Sequence, residues 1–503
     1  MMRDFRWQDY DVRWLAVAAS AFLSVYTLVW PQLPNDDAYT YIRTADIFLN
    51  EGIMAALDHY SWAGYSIAIG LFSQLGFSLF TAAYLLNALF HALLVYSFVS
   101  VVKTIDDSIS VVWMAALIVL VFPELNEYRY MIIRDTGFWA LLTLGLWQFL
   151  LYFRGRKLRH GISFVLAVSL ALIFRAEAML YLLLTPICLL FDRRQDISRN
   201  LRDFLILTGV MVGSGSVVVF TLRLVGIDVI ALLMEFVSVY QPFLINAINP
   251  SEADSIAAAR VVFGDYAAAF SRQYLTAVIA TGLLVVLFMN IFYAISGPYF
   301  WLLAYGWFRR HLRLDDQQLL PIWAWLIINT LILFVFLFVT RYLSSRYGMV
   351  LALMLAVQLP FVVSAILGRV MGRSGTRVGI VFLGLFFLYC VIDSTISFGK
   401  PRDWLLETAI YLNRETEPNS HVLTNNHTIA YFSGKVAAYD EVERMLTREQ
   451  VLATIPGDLI AIELFYEMTE LVADPVLSPY LEPLATFPVD TPRAAVYRRI
   501  DPP

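Results

Sequence analysis

A succession of apolar runs divided by short connections constrains this chain more than any other feature. Runs of about 20 apolar residues match the hydrocarbon thickness of a bilayer. Read as helices, they fall at residues 14–30, 79–102, 109–122, 138–153, 161–174, 178–191, 205–225, within 275–308, and at 320–339, 347–367 and 378–396. The segment 275–308 is longer than one span needs, and Gly297-Pro298 is expected to break it into two helices. Composition agrees: 59% of residues are hydrophobic and 15% charged, whereas a soluble domain is nearer half apolar and a quarter charged. The expectation is an all-α polytopic membrane protein, lodged in the lipid bilayer with about 11 transmembrane helices.

Charge orients it. The Arg-rich connections are residues 1–13, Arg154-Gly155-Arg156-Lys157-Leu158-Arg159, the loop with Arg193, Arg194, Arg199 and Arg202, Arg309-Arg310-His311-Leu312-Arg313, and the loop with Arg369, Arg373 and Arg377. With the N-terminus in the cytoplasm and eleven crossings, all of them fall on the cytoplasmic side, as the positive-inside rule requires. The long loops 31–78 and 226–274 and the C-terminus then lie outside. The first run has no small-residue cleavage site before Pro31, so it reads as a retained anchor. These features point to multi-pass insertion in a cell (inner) membrane. Residues 1–399 are read as a membrane domain and 400–503 as an extracytoplasmic α/β domain. Apolar runs at 421–424, 436–439, 458–464 and 494–500 read as its strands, and 401–415 and 447–455 as helices.

Several function classes drop out. The net charge is -5, and there is no basic tail or nucleic-acid-binding motif. The two cysteines, Cys188 and Cys390, lie in apolar runs and indicate neither a disulfide framework nor a metal cluster. His421 and His427 read as packing histidines.

The first outer loop opens on Pro34-Asn35-Asp36-Asp37-Ala38-Tyr39. Ala38, Tyr41, Ile42, Ala45, Phe48 and Leu49 recur at helical spacing, with Gly52 as a stop. Asn35 or Asp36 can cap that helix, and acids are favoured in its first turn. Residues 66–77 are apolar but short and suit an interfacial helix. Further charges gather on the same outer side: Glu124, Glu127, Arg129, Arg134 and Asp135 between spans three and four, Arg175 and Glu177 between five and six, and Arg341 and Arg346 between nine and ten. Arg134-Asp135 and Arg175-Ala176-Glu177 abut apolar sequence directly, where charges mark either a site or a structural ion pair. Carboxylates there can act as a general base or ligate a cation. Arginines can grip a phosphate through paired N–H donors. The set suits a phosphorylated lipid whose tail stays in the bilayer.

Taken in order, several segments resemble the GT-C glycosyltransferases, in particular bacterial relatives of protein O-mannosyltransferases and lipid A aminoarabinose transferases. They are Asp36-Asp37-Ala38-Tyr39, Tyr130-Met131-Ile132-Ile133-Arg134-Asp135, Phe174-Arg175-Ala176-Glu177 and Arg341-Tyr342-Leu343-Ser344-Ser345-Arg346-Tyr347. The Trp404-Leu405 helix, His421-Val422-Leu423-Thr424-Asn425-Asn426 and Tyr431-Phe432-Ser433-Gly434 are similar to the family's small outer domain. The resemblance covers nearly the whole chain. It implies inverting transfer of a hexosyl or pentosyl unit from a polyprenyl phosphate donor to an extracytoplasmic lipid, glycan or protein. It puts the catalytic acid at Asp36, with Asp37 second, and the second acidic spot at Asp135. Phosphate contacts fall on Arg346 or Arg341, with Arg175 and Arg134 beside them and Tyr39 and Glu177 in support. Some members of the family hold a divalent metal ion, for which Asp36 and Asp135 are the candidates here. The chain departs from the family in having Asp37 where Glu is frequent, Asp135 where Glu is frequent, and Gly348 where proline follows the Arg-Tyr pair. A membrane transporter, or a glycan ligase or assembly protein, could use the same outer-face charges. No second half mirrors the first, as a transporter's inverted repeats would.

Overall fold

The computed structural model describes residues 11–29, 33–224, 226–248, 251–310, 316–371, 376–396, 402–415, 417 and 420–501. Arg3, Arg6, Trp30, Pro31, His311, Leu312, Arg313, Arg373 and Pro401 lie outside them. Among the described residues, seven helices are long and apolar enough to cross a membrane, and eight if the bent pair Ile109–Leu120 and Pro123–Tyr130 is one span. The helices Leu158–Phe174, Ala178–Phe191 and Gly379–Thr395 are apolar but shorter. A count of eleven requires that these cross too.

The chain divides into two compact units: Met1–Thr27, Leu85–Arg129 and Arg134–Ser397 form one, and Leu28–Tyr84, Tyr130–Ile133 and Phe398–Pro503 the other. The first outer loop thus belongs with the C-terminal residues.

In the first unit, burial sorts the helices. Asp135–Gly155 buries 78% of its most apolar stretch and Ser345–Gly368 72%, whereas Ile197–Leu224 buries 11%. The outward Val217 and Phe220 on that last helix are what a lipid-facing surface requires. Glycines let the Asp135–Gly155 helix lie close against Leu158–Phe174. A Cβ on Gly137 would meet the Phe174 ring at 2.6 Å, and one on Gly145 would meet Val168 Cγ2 at 2.6 Å. The bend of 47° after Leu120 begins at Pro123, which occupies the first helical position. Buried Arg129 secures it, donating to the Ser20 carbonyl and to the hydroxyls of Ser20 and Ser24 at 2.9–3.2 Å, and to Asn126 Oδ1.

The long segment breaks where expected. Leu275–Ile295 ends at Ser296, whose φ of 68° opens the turn into Gly297–Phe308. Most of residues 226–274, read from sequence as a loop, is instead two helices, Val229–Ile248 and Glu252–Ser271, the second interrupted at Gly264 with φ 79°.

In the second unit, the first outer loop folds as the helices Asp36–Glu51, Ile53–His59 and Gly64–Ser73. The C-terminal part is a four-stranded sheet with helices. Strands β1 (Val422–Thr424), β2 (Leu459–Glu463), β3 (Leu481–Phe487) and β4 (Ala494–Arg499) lie in the order β1-β2-β4-β3. β1 and β2 are parallel, and β4 is antiparallel to β2 and β3. Alternate residues of β2 serve opposite faces. Ile460 and Ile462 pack with Val451, Met468 and Leu477. Leu459 and Ala461 pack with Leu405, Leu412, Ile429 and Val496. Residues 437–439 form a turn rather than a strand. β3 escapes the sequence reading because Pro483 argues against a strand. It is tolerated because β3 is an edge, with an irregularity between Pro483 and Ala485.

Candidate active site

Two groups of charged residues matter, one in each unit. In the first unit, Asp135 opens the helix Asp135–Gly155, and Arg175 closes Leu158–Phe174 in an extended conformation. Glu177 sits at the start of Ala178–Leu184 without capping it. The one-residue spacing Arg-Ala-Glu lets these two side chains meet across the turn. All three guanidinium nitrogens of Arg175 donate to carboxylates. Nη2 reaches Glu177 Oε1 at 2.7 Å and Nε reaches Oε2 at 3.3 Å, while Nη1 donates to Asp135 Oδ1. The guanidinium also lies 4.4 Å from the Tyr347 ring centroid and 5.7 Å from that of Phe138. Burial alone would raise the Glu177 carboxyl. The Arg175 guanidinium, with a smaller contribution from Arg134, overrides it and holds the carboxyl below its usual range.

Arg346 joins this group from the 3-10 turn Ser345–Gly348. Asp135, Arg175, Glu177, Arg346 and Tyr347 line one cavity with Trp139, Tyr181, Asn329 and apolar side chains. At about 20 Å³ it has room for little more than one water. Tyr181 Oη accepts from Asn329 Nδ2 at 2.6 Å. Tyr128 fixes the turn that carries Arg346: its hydroxyl lies 2.9 Å from both Ser345 Oγ and Glu124 Oε1. Arg341, with φ 58°, is exposed. Neither it nor Arg134 lines the cavity.

In the second unit, Asp36 and Asp37 are the first two residues of the helix Asp36–Glu51. Asp36 is exposed and Asp37 half-buried. Asn35 holds the N-cap position but makes no side-chain cap bond. Its amide instead pairs with the backbone of Ile132. Tyr39 is fully buried and donates to Thr428 Oγ1 at 2.9 Å. It packs among His427, Tyr431, Phe80 and Tyr439, with ring centroids 5.7–6.5 Å away. Burial pushes its hydroxyl well up, so it stays neutral. His427 is a packing histidine whose Nδ1 meets the Tyr439 carbonyl at 2.9 Å. His59 links three segments, with Nε2 3.0 Å from Asp440 Oδ2 and Nδ1 3.0 Å from Thr44 Oγ1.

The structure therefore brings Asp135, Arg175, Glu177 and Arg346 together, and sets Asp36, Asp37 and Tyr39 in the other unit. For Arg175 the structural ion pair that the sequence left open is what is seen. Tyr128, Asn329, His59 and Asp440 went unread in sequence, and Asn35 was read only as a helix cap, because each acts through a partner far along the chain. As for the metal candidates, Asp135 is engaged by Arg175, and no three His, Cys, Asp or Glu side chains among the described residues form a metal-holding group. These residues as they stand do not fit a resident cation.

No family model and no curated protein sequence matches the chain. Solved structures do. Archaeoglobus fulgidus oligosaccharyltransferase AglB, in complex with an inhibitory peptide and a dolichol-phosphate, aligns over 95% of this chain and 73% of its own, at 13% identity and a TM-score of 0.50. An Archaeoglobus fulgidus oligosaccharyltransferase in complex with Zn and sulfate aligns over 97% of this chain and 73% of its own, at 13% identity and a TM-score of 0.51. ArnT from Cupriavidus metallidurans in the apo state aligns over 96% of this chain and 97% of its own, at 12% identity, with a TM-score of 0.47. AglB is a GT-C fold glycosyltransferase, and at 13% identity the likeness speaks for architecture rather than activity. The fold expected from the sequence is the fold found: this chain is a multi-pass membrane protein with the GT-C fold.

Proposed function

We propose that this protein is an integral-membrane glycosyltransferase that moves one sugar from a polyprenyl phosphate to an acceptor outside the membrane. The observation that carries the reading is the cavity in which Arg346, Arg175, Asp135 and Glu177 meet among apolar side chains of membrane helices. Charges enclosed among apolar side chains are costly and are often functional. A phosphate on a lipid tail is the ligand class that meets both linings. AglB, whose fold this chain shares, was solved with a dolichol-phosphate, which supports the same ligand class here.

As the family resemblance implies, the acceptor hydroxyl gives its proton to Asp36, with Asp37 beside it raising the local negative potential. The acceptor oxygen attacks the anomeric carbon, and the bond from that carbon to the phosphate oxygen breaks. The phosphate leaves with the electron pair, and the anomeric configuration inverts. Arg346 neutralises the leaving phosphate through charge-assisted hydrogen bonds. Arg175 holds Asp135 and Glu177 in place and is available to a phosphate only by giving up a carboxylate. Arg134 and Arg341 add positive potential outside the cavity. A cavity with room for one water cannot admit a phosphate as it stands, so donor entry requires side chains around Arg346 to move.

Donor binding tests the assignment. With the protein in lipid nanodiscs, Arg346→Ala should weaken binding of a polyprenyl phosphate by at least about tenfold, the loss of roughly one charge-assisted hydrogen bond. It should leave thermal stability within about 1 kcal/mol of wild type. Unchanged affinity would remove Arg346 from the phosphate site.

A further inference from the structure

The acidic pair is held on both sides by long-range hydrogen bonds. One residue before it, the Asn35 side chain meets the backbone of Ile132 in both directions. The Ile132 N–H donates to Asn35 Oδ1 at 2.8 Å, and Asn35 Nδ2 donates to the Ile132 carbonyl at 3.2 Å. Two residues after it, Tyr39 donates to Thr428 Oγ1 at 2.9 Å. All four residues belong to the second unit.

The Asn35–Ile132 pair is unusual in what it forgoes. At an N-cap, asparagine ordinarily accepts from the free N–H groups of the first helical turn. Asn35 has the extended backbone of a cap, φ -70° and ψ 160°, yet its side chain makes no cap bond. Its two-headed amide is matched instead to a backbone segment that needs it. Ile132 lies in irregular chain between a 3-10 turn and the helix that Asp135 opens. Its side chain is fully buried, and a buried peptide group without partners is costly. Asparagine offers one donor and one acceptor at the same end, as a neighbouring strand would. The result is a rigid joint between residues 131–133 and the first turn of the helix that presents Asp36 and Asp37.

We propose that Asn35 is a positioning residue for the acidic pair: through Ile132 it fixes where the carboxylates of Asp36 and Asp37 stand during transfer. The inference rests on the transferase reading above and adds a residue to it. It makes a distinction that helix capping does not. Serine caps a helix as well as asparagine does, but it is too short to bridge to Ile132 and offers only one hydroxyl. Asn35→Ser therefore keeps the helix start and removes the joint, whereas Asn35→Gln keeps the amide on a longer arm.

The test measures two quantities on the full-length protein in nanodiscs. The first is steady-state transfer from a polyprenyl phosphate sugar. The second is amide hydrogen exchange of residues 130–133 without substrate. Asn35→Ser should lower kcat by about tenfold to a hundredfold, the scale of a misplaced reacting group, with donor KM within about threefold. Exchange at Ile132 should rise, and Asn35→Gln should recover part of both. Raised exchange with unchanged kcat would overturn the positioning role and leave the transferase reading standing. Unchanged exchange would show that the joint does not hold in solution and would overturn the proposal on its own ground. Absence of turnover by wild type with every donor would overturn the transferase reading, and the role of Asn35 with it.

Discussion

At the scale of single residues, Arg175 organises the first unit's charge. It answers two carboxylates that membrane-embedded helices would otherwise leave uncompensated, with side-chain exposures of 4% for Asp135 and 22% for Glu177. Removing one member of a buried ion cluster costs more than the cluster itself contributes, because the remaining charges stay buried. Arg175→Met is therefore expected to lower stability by about 3–5 kcal/mol, read as a loss of melting temperature in detergent. Adding Asp135→Asn and Glu177→Gln should restore most of it. A single variant as stable as wild type would mean that water screens these carboxylates. The same contact shows what sequence carried at this scale. That Arg175 and Glu177 abut apolar segments was visible, and so was the choice between a phosphate contact and an ion pair. That Arg175 also pairs with Asp135, 40 residues away, was not visible. Asn35 is a sharper case. Its residue type and position both argue for a cap, and only the fold reveals the peptide group that competes for its amide.

At the scale of elements, apolar length predicted the membrane helices well, because lipid leaves the backbone no alternative to internal hydrogen bonding. It predicted less about which helices touch. The contact of Asp135–Gly155 with Leu158–Phe174 depends on Gly137 and Gly145, neither of which disturbs a hydropathy reading. Gly145→Leu should force Val168 aside and cost about 1–3 kcal/mol, the usual penalty for overpacking. Gly155→Leu, where an added Cβ meets nothing, is the control on the same helix. Equal stability of the two variants would contradict the close approach. In the second unit the sheet was half legible. β1, β2 and β4 are short apolar runs with the right period. β3 carries a proline that the edge position excuses, and Val436–Tyr439 looks like a strand, but residues 437–439 form the turn whose Tyr439 carbonyl meets His427. Residues 226–274 were read as a long loop carrying scattered charges, and most of them are helical.

At the scale of the molecule, the sequence carried the fold through the order of its segments rather than through any one of them. The GT-C architecture followed from that order and recurs in AglB at 13% identity. Such a likeness leaves chemistry to be decided by side chains. The proposed chemistry rests on the acidic pair at Asp36 and Asp37 driving sugar transfer from a polyprenyl phosphate. The most direct test is donor turnover by purified protein in lipid. Wild type, Asp36→Asn and Asp37→Asn would each be offered a panel of radiolabelled polyprenyl phosphate sugars with membrane extract as the source of acceptor, and free polyprenyl phosphate would be counted. Release by wild type from at least one donor is expected, with a loss of at least about a hundredfold in Asp36→Asn and membrane insertion unchanged. Release by Asp36→Asn and Asp37→Asn at the wild-type rate would contradict that chemistry.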